Sequence, residues 1–273
     1  TMEMEDQETG YGELHLHLDG AITPRIAKKL AALQGIELPY EGEQLNNALS
    51  VGEDCQSLNE FLQCFDLPLK LLQTKEGISE AIYLVQEELK AEGLSYAELR
   101  FAPQLHCQGG LSQAQVIEAA LDGLKRSTLP CNLILCCMRG ADNEELNMQT
   151  VETAKKYLGD VVCAVDIAGA EGLFPTENFA PVFAKVREYG VPMTLHAGEA
   201  AGPDSMKTAL SFGTKRIGHG VAAINDPELI KRLIDENVTL EVCVTSNYHT
   251  KVVPAINMHP IHKLLEAGVH VTV

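Results

Sequence analysis

Glu13-Leu14-His15-Leu16-His17-Leu18-Asp19-Gly20 alternates polar and apolar residues without a break, the pattern of a half-buried strand. Side chains two positions apart on a strand share a face. His15, His17 and Asp19 therefore fall together, with Leu14, Leu16 and Leu18 behind them. Two imidazoles at this spacing can hold one divalent cation, and Gly20 lets the backbone turn directly afterwards. A solvent-facing strand that carries two histidines has the same pattern, so the choice rests on residues far along the chain.

Outward from this strand, residues 24–33 read as a helix with Thr23 as N-cap and Pro24 at its first position. Residues 35–51 are polar and read as irregular. Residues 57–73 carry Leu58, Phe61, Leu62, Phe65, Leu69 and Leu72 near helical spacing, with Pro68 as a break. Ile78, Ile82, Val85 and Leu89 stripe a stronger helix over 76–92. A regular rhythm follows. Strands are expected at 96–102, 132–138, 161–167, 192–195, 216–219, 239–244 and 269–273. Helices are expected at 112–127, 143–158, 178–189, 204–212, 227–236 and 259–267. Single helices between apolar strands mean a parallel sheet, and about eight strands favour closure into a (β/α)8 TIM-type barrel. An open doubly wound sheet is the competitor, but no Gly-rich phosphate turn follows the first strand. The expectation is one domain over 1–273, with a lid insertion at about 35–73 over the barrel mouth. The last strand is expected at the chain end, with the final helix of such a barrel expected to be missing.

Composition narrows the class. The 273 residues are 45% hydrophobic, enough for a sizeable core. The formal net charge of −17 repels phosphate backbones, which excludes nucleic acid polymers as partners. Eight cysteines form no Cys-x-x-Cys pair and sit mostly in apolar runs, as buried thiols do in a reducing cytoplasm. Residues 1–13 are acidic and lack the apolar core of a signal peptide. No apolar run is long enough to span a membrane. Nothing in the sequence speaks to oligomeric state.

His15, His17, Asp19, Asp166, His196, Glu199, His219, Ser246 and Asn247 all fall at or just past the C-terminal ends of the expected strands, the face where such barrels carry their active sites. Three imidazoles from two strands suit Zn²⁺, which brings a bound water to a pKa of about 7. Glu199, three residues after His196, can reach the same space without being a ligand. A carboxyl in a dry pocket has its pKa raised and can deliver a proton. His219 can take a proton from the attacking water or hold the hydroxide in place. The set describes metal-assisted hydrolysis. Other readings stay open: Glu199 as a helix cap, His219 as a packed core histidine, and Ser246 and Asn247 as turn formers. Asp166 reads as a partner of a ligand rather than a substrate contact. His106, His249, His259, His262 and His270 carry no pattern and read as structural or exposed.

His15-Leu16-His17-Leu18-Asp19-Gly20, His196-Ala197-Gly198-Glu199 and Arg216-Ile217-Gly218-His219-Gly220 resemble the adenosine deaminase family of zinc amidohydrolases. Asp166-Ile167-Ala168-Gly169-Ala170-Glu171 resembles its Asp-x-Ala-Gly-x-Glu segment, and Cys243-Val244-Thr245-Ser246-Asn247 its Cys-Pro-x-Ser-Asn segment. The motifs run in family order from residue 13 onward. The resemblance implies His15, His17 and His196 as zinc ligands and Glu199 as the proton donor to the purine ring nitrogen beside the attacked carbon. It implies His219 as the group that assists the hydroxide, the Gly169 N–H as a contact to another ring nitrogen, and Asp19 as a contact to the ribose 5′-hydroxyl. Leu58, Phe61, Leu62 and Phe65 correspond to a lid over the purine. The implied substrate is a small purine nucleoside, adenosine, converted to inosine with release of ammonia. Asp at position 19, where adenine deaminases tend to carry Glu, leans towards a nucleoside.

Two departures stand out. Val244 replaces the usual Pro. The chain also stops at Val273, before the family's Asn-Thr-Asp-Asp-Pro segment, whose first Asp is a zinc ligand and whose second bonds the purine. From that, the 273 residues are expected to be a truncated form with weaker metal binding and little or no turnover. The competing functions are an adenine or modified-purine deaminase and a catalytically impaired nucleoside-binding form.

Overall fold

The computed structural model describes residues 10–50, 55 and 62–273. Among the described residues eight strands run parallel: β1 (Tyr11–His17), β2 (Leu94–Phe101), β3 (Cys131–Met138), β4 (Val162–Ala168), β5 (Thr194–Ala197), β6 (Arg216–His219), β7 (Thr239–Glu241) and β8 (His270–Thr272). They pair in chain order as two four-stranded halves, β1 to β4 and β5 to β8. Val165 joins the halves by bridging to Met193, and its N–H donates to the Pro192 carbonyl at 2.9 Å. Among the described residues the opposite seam is a cleft of about 270 Å³ between β1 and β7 to β8, lined by Gly12 to His15, Glu241 to Ser246, Thr272 and Val273. The strand–helix alternation is the (β/α)8 barrel expected from the sequence.

Eleven α-helices are described: α1 (Pro24–Gln34), α2 (Gly42–Leu49), α3 (Asp66–Leu71), α4 (Lys75–Ala91), α5 (Gln113–Arg126), α6 (Glu144–Tyr157), α7 (Ala180–Glu188), α8 (Pro203–Ser211), α9 (Pro227–Asp235), α10 (Val244–His249) and α11 (Ile261–Glu266). Their starts are encoded locally. Thr23 caps α1 by accepting from the Ile26 N–H, Ser112 and Gln115 form a reciprocal capping box on α5, and Asp226 accepts from Leu229 on α9. The main core lies between strands and helices. Ile82 and Val85 of α4, Val116, Ile117 and Ala120 of α5, and Leu99, Leu133 and Val165 from the strands are all buried in it.

Three local expectations are corrected. The stretch expected to be irregular at 35–51 contains α2, a mostly exposed helix anchored by the buried Leu45. Pro68 does not break a helix. It is the third residue of α3, where the N–H it lacks would have had no intrahelical acceptor. The strand expected over 239–244 stops at Glu241, and α10 begins at Val244. Of the expected lid residues, Leu62 and Phe65 lie in a 3-10 turn before α3, and Leu58 and Phe61 lie outside the described residues.

Candidate metal-dependent active site

The metal candidates are brought to one point by strand register. His17 of β1 pairs with Arg100 of β2, and His196 of β5 pairs with Gly218 of β6, which pairs in turn with Glu241 of β7. His15 and His196 approach through their Nε2 atoms at 3.1 Å, and His17 and His196 through theirs at 3.2 Å. This close approach is possible because residue 218 has no side chain. A Cβ there would stand 2.9 Å from His15 Cε1 and 3.3 Å from His196 Cγ. Gly218→Ala therefore pushes the two rings apart. Its expected result is a folded protein whose zinc affinity falls about tenfold to a hundredfold, read by competition against a chelating indicator. Unchanged affinity would mean the rings are not held by this contact.

The protonation of these rings follows from what lies behind them. His15 Nδ1 is 3.0 Å from Glu241 Oε1, and His196 Nδ1 is 2.7 Å from Asp166 Oδ2. A carboxylate only accepts, so each Nδ1 carries the proton and donates it. Burial, and then the nearby Arg100 cation, push the His15 pKa well below its usual value. Burial, and then His196, do the same for His17. With its proton on Nδ1, the neutral His15 ring turns a bare Nε2 lone pair toward His196 Nε2. Imidazole nitrogens gathered this closely, with carboxylates behind two of the rings, make a donor set that fits a zinc ion.

The carboxylates have their own support. Arg100 is completely buried. It donates to Asp166 Oδ2 at 2.9 Å, to Glu241 Oε1 at 2.8 Å and to the Leu14 carbonyl at 2.7 Å. Glu241 also accepts from Thr194 Oγ1 at 2.9 Å and from Arg216 Nε at 2.7 Å. Burial alone would raise the Asp166 pKa, but His196 and Arg100 outweigh it and hold this carboxyl ionised, far below the usual range. One guanidinium thus ties together the partners of two different metal candidates. Arg100 and Glu241 were not singled out from the sequence. Both look like ordinary polar positions on strands, and no spacing links residues 141 apart.

Glu199 stands on a turn built for it. Glu171 accepts from the N–H groups of Gly198 (2.7 Å), Glu199 (3.0 Å) and Ala200 (2.8 Å) and from Ser205 Oγ (2.6 Å). Gly198 has φ +73°, a left-handed conformation that a side chain resists. Glu199 does not cap the next helix, since Gly202 holds the N-cap position of α8. Its carboxyl is buried, and burial raises its pKa to about 7. Oε2 lies 3.5 Å from His219 Nε2. His219 itself has φ +64°, an uncommon value for a residue with a side chain, and its ring is held at Nδ1 by Asn247 Nδ2 at 3.0 Å. The reading of Asn247 as a turn former is thereby replaced by a contact to the site.

These groups open onto a cavity of about 370 Å³, within the usual range for small-molecule sites. His15, His17, Asp19, Leu62, Phe65, Gly169, His196, Glu199, His219 and Ser246 all line it. The Phe65 ring stacks near His17, centroids 6.4 Å apart, and covers Gly20, where a Cβ would stand 3.2 Å from Phe65 Cε1. Asp19 is buried, and burial raises its pKa to about 6. Its Oδ1 has no hydrogen-bond partner among the described residues. Gly169 has φ +109° and packs against Met138 and Arg139.

Three imidazoles with two carboxylates behind them, a buried acid alongside and a barrel mouth above define a metal-dependent hydrolase. The family model described as "Adenosine deaminase" matches residues 11–273. An adenosine deaminase from Haemophilus ducreyi is 47% identical over 272 residues, covering 96% of this chain and 79% of that one. The chain belongs to the adenosine deaminase family. Among solved structures, an adenine deaminase from Arthrobacter aurescens superposes with a TM-score of 0.84 at 27% identity, over 96% of this chain and 80% of that one. An amidohydrolase from Burkholderia ambifaria, solved with bound zinc, also gives 0.84, over 96% and 73%. At 23% identity it is a likeness of fold alone.

Proposed function

We propose that this enzyme hydrolyses adenosine, and 2′-deoxyadenosine, to inosine or deoxyinosine and ammonia. The observation that carries the reading is the convergence of His15, His17 and His196 beside a buried Glu199 whose pKa stands at about 7. The 47% identity to an adenosine deaminase supports the substrate. Zinc at the three imidazoles would supply the Lewis acidity that makes water nucleophilic near neutral pH. The remaining work falls to the chain's own groups. Protonated Glu199 gives its proton to the ring nitrogen beside the amino-bearing carbon, which draws electrons from that carbon as water adds. His219 bonds the attacking oxygen. Gly169 offers its N–H to a second ring nitrogen. Asp19, with one oxygen lacking a partner among the described residues, accepts from the ribose 5′-hydroxyl. Leu62 and Phe65, which line the cavity, shield the purine from bulk water. One water is consumed and one ammonia released. We read residues 1–273 as one catalytic domain and the 35–73 stretch as its lid. No helix among the described residues is long and apolar enough to cross a membrane. No disulfide joins the cysteines, which suits a reducing compartment such as the cytoplasm.

The test is turnover by the zinc-loaded protein on adenosine, 2′-deoxyadenosine and adenine, with base product and ammonia both measured. Inosine and ammonia in equal amounts, lost on chelation and restored by zinc, are expected on this reading, whereas little or no turnover with zinc bound would favour the impaired form read from the sequence. Faster turnover of adenine would move the assignment to a nucleobase deaminase. Tight nucleoside binding without ammonia would make the protein a binder.

A further inference from the structure

His259 lies in the loop before α11, more than ten residues from any motif, yet it is buried and within one side chain of the active site. Four polar contacts run in series. The Ile261 N–H, the first of α11, donates to His259 Nδ1 at 3.1 Å. His259 Nε2 lies 3.0 Å from Asn247 Oδ1, Asn247 Nδ2 lies 3.0 Å from His219 Nδ1, and His219 Nε2 lies 3.5 Å from Glu199 Oε2. Asn247 is fully buried, so its amide finds its partners within this series.

A backbone N–H can only donate, and that sets the direction of every later link. His259 Nδ1 must accept, so on a neutral ring the proton is on Nε2. Burial lowers the His259 pKa, which favours that neutral ring. Nε2–H then donates, so the oxygen of the Asn247 amide must face it. The NH2 of the same amide faces His219, whose Nδ1 accepts, and the His219 proton is left on Nε2, directed at Glu199 and the cavity. Turning the Asn247 amide over would set NH2 against the N–H of His259 and cost that buried hydrogen bond.

We propose that Asn247 and His259 are positioning residues that hold His219 as its Nε2–H tautomer. In this form His219 donates a hydrogen bond to the attacking oxygen instead of starting the reaction as its base. The assignment rests on the deaminase reading for its consequence in catalysis. The tautomer itself is read without any turnover, so the two can fail separately.

The experiment is long-range proton–nitrogen correlation NMR on protein labelled at histidine nitrogen, without and with zinc, with His219 assigned by loss of its signals in His219→Gln. The expected pattern is a bare Nδ1 and a protonated Nε2. Asn247→Asp, nearly the same shape, replaces the donor facing His219 by an acceptor, and is expected to place a proton on Nδ1. His259→Phe removes the donor that orients the amide and is expected to mix the tautomers. His259→Gln, which can donate from the same place, is expected to restore the single form. In turnover, Asn247→Asp and His259→Phe lower kcat by about tenfold to a hundredfold with KM little changed, and His259→Gln recovers most of the loss. A protonated Nδ1 in the unaltered protein overturns the proposal. So does an unchanged His219 spectrum in both Asn247→Asp and His259→Phe. Variants that lose only thermal stability, with tautomer and kcat intact, overturn it as well.

Discussion

Glutamine at position 199 is expected to lower kcat by about a hundredfold to ten-thousandfold, the usual worth of a positioned acid, with little change in KM. The amide keeps the shape of the side chain but has no proton to transfer. The turn beneath it is unaffected, since that turn is held by Glu171 accepting from the three N–H groups of residues 198–200 and not by the Glu199 side chain. The pH dependence has a definite sign. In the proposed mechanism Glu199 acts in its protonated form, and burial raises its pKa from the ordinary carboxyl value to about 7. The acid is therefore present below that pH and is lost as pH rises through it, so the alkaline limb of kcat/KM belongs to this carboxyl. In Glu199→Gln the limb should vanish along with most of the rate. Steady-state kinetics over pH on both proteins checks this, and a surviving limb of the same midpoint would assign it to another group.

The second large effect is at Arg100. Arg100→Met is expected to destabilise the protein by about 3–5 kcal/mol, the cost of breaking a buried ion pair by removing one partner. The guanidinium faces Asp166 and Glu241 at once, and all three groups are buried. Methionine fills the stem's volume but leaves two carboxylates facing each other in the barrel interior. The damage extends to the metal site, because those carboxylates fix the Nδ1 protons of His196 and His15. Zinc affinity should fall with stability, by about tenfold to a hundredfold. Adding Asp166→Asn and Glu241→Gln to Arg100→Met removes the two charges that faced Arg100 and keeps an oxygen facing each imidazole. That triple variant should recover most of the stability. Urea unfolding of the metal-free proteins decides the point: a stable single variant, or a triple variant no better than the single, would show that the charges are not what holds this centre.

What could be read from the sequence was whatever has a local signature. The alternation at 13–20, the apolar runs of the later strands and the helix caps at Thr23, Ser112 and Asp226 each act over a few residues, and they place most elements within a residue or two of where they stand. The histidine motifs were visible because they sit where strands end. Features made by contact across the barrel were not. Arg100 and Glu241 alternate on their strands like any polar residue, and their partners lie on strands distant in sequence. His259 was set aside as structural or exposed because its meaning comes from Ile261 and Asn247 together. Polarity misread 35–51, where one buried leucine is enough to seat α2 on the rest of the molecule. Pro68 was read as a break because proline's effect depends on its position along a helix, which cannot be known before the helix start is known.

The way the strands pair has one more consequence. β1 to β4 and β5 to β8 are two four-stranded halves joined at one seam by Val165, and the ligand candidates are divided between them, with His15 and His17 on the first and His196 on the second. A cation bound by all three therefore works as a mechanical rivet. Free energy gained on loading it is also cohesion between two half-shells, because the ligand set exists only when both are assembled. Holding the metal and holding the two halves together are thus expected to be linked equilibria.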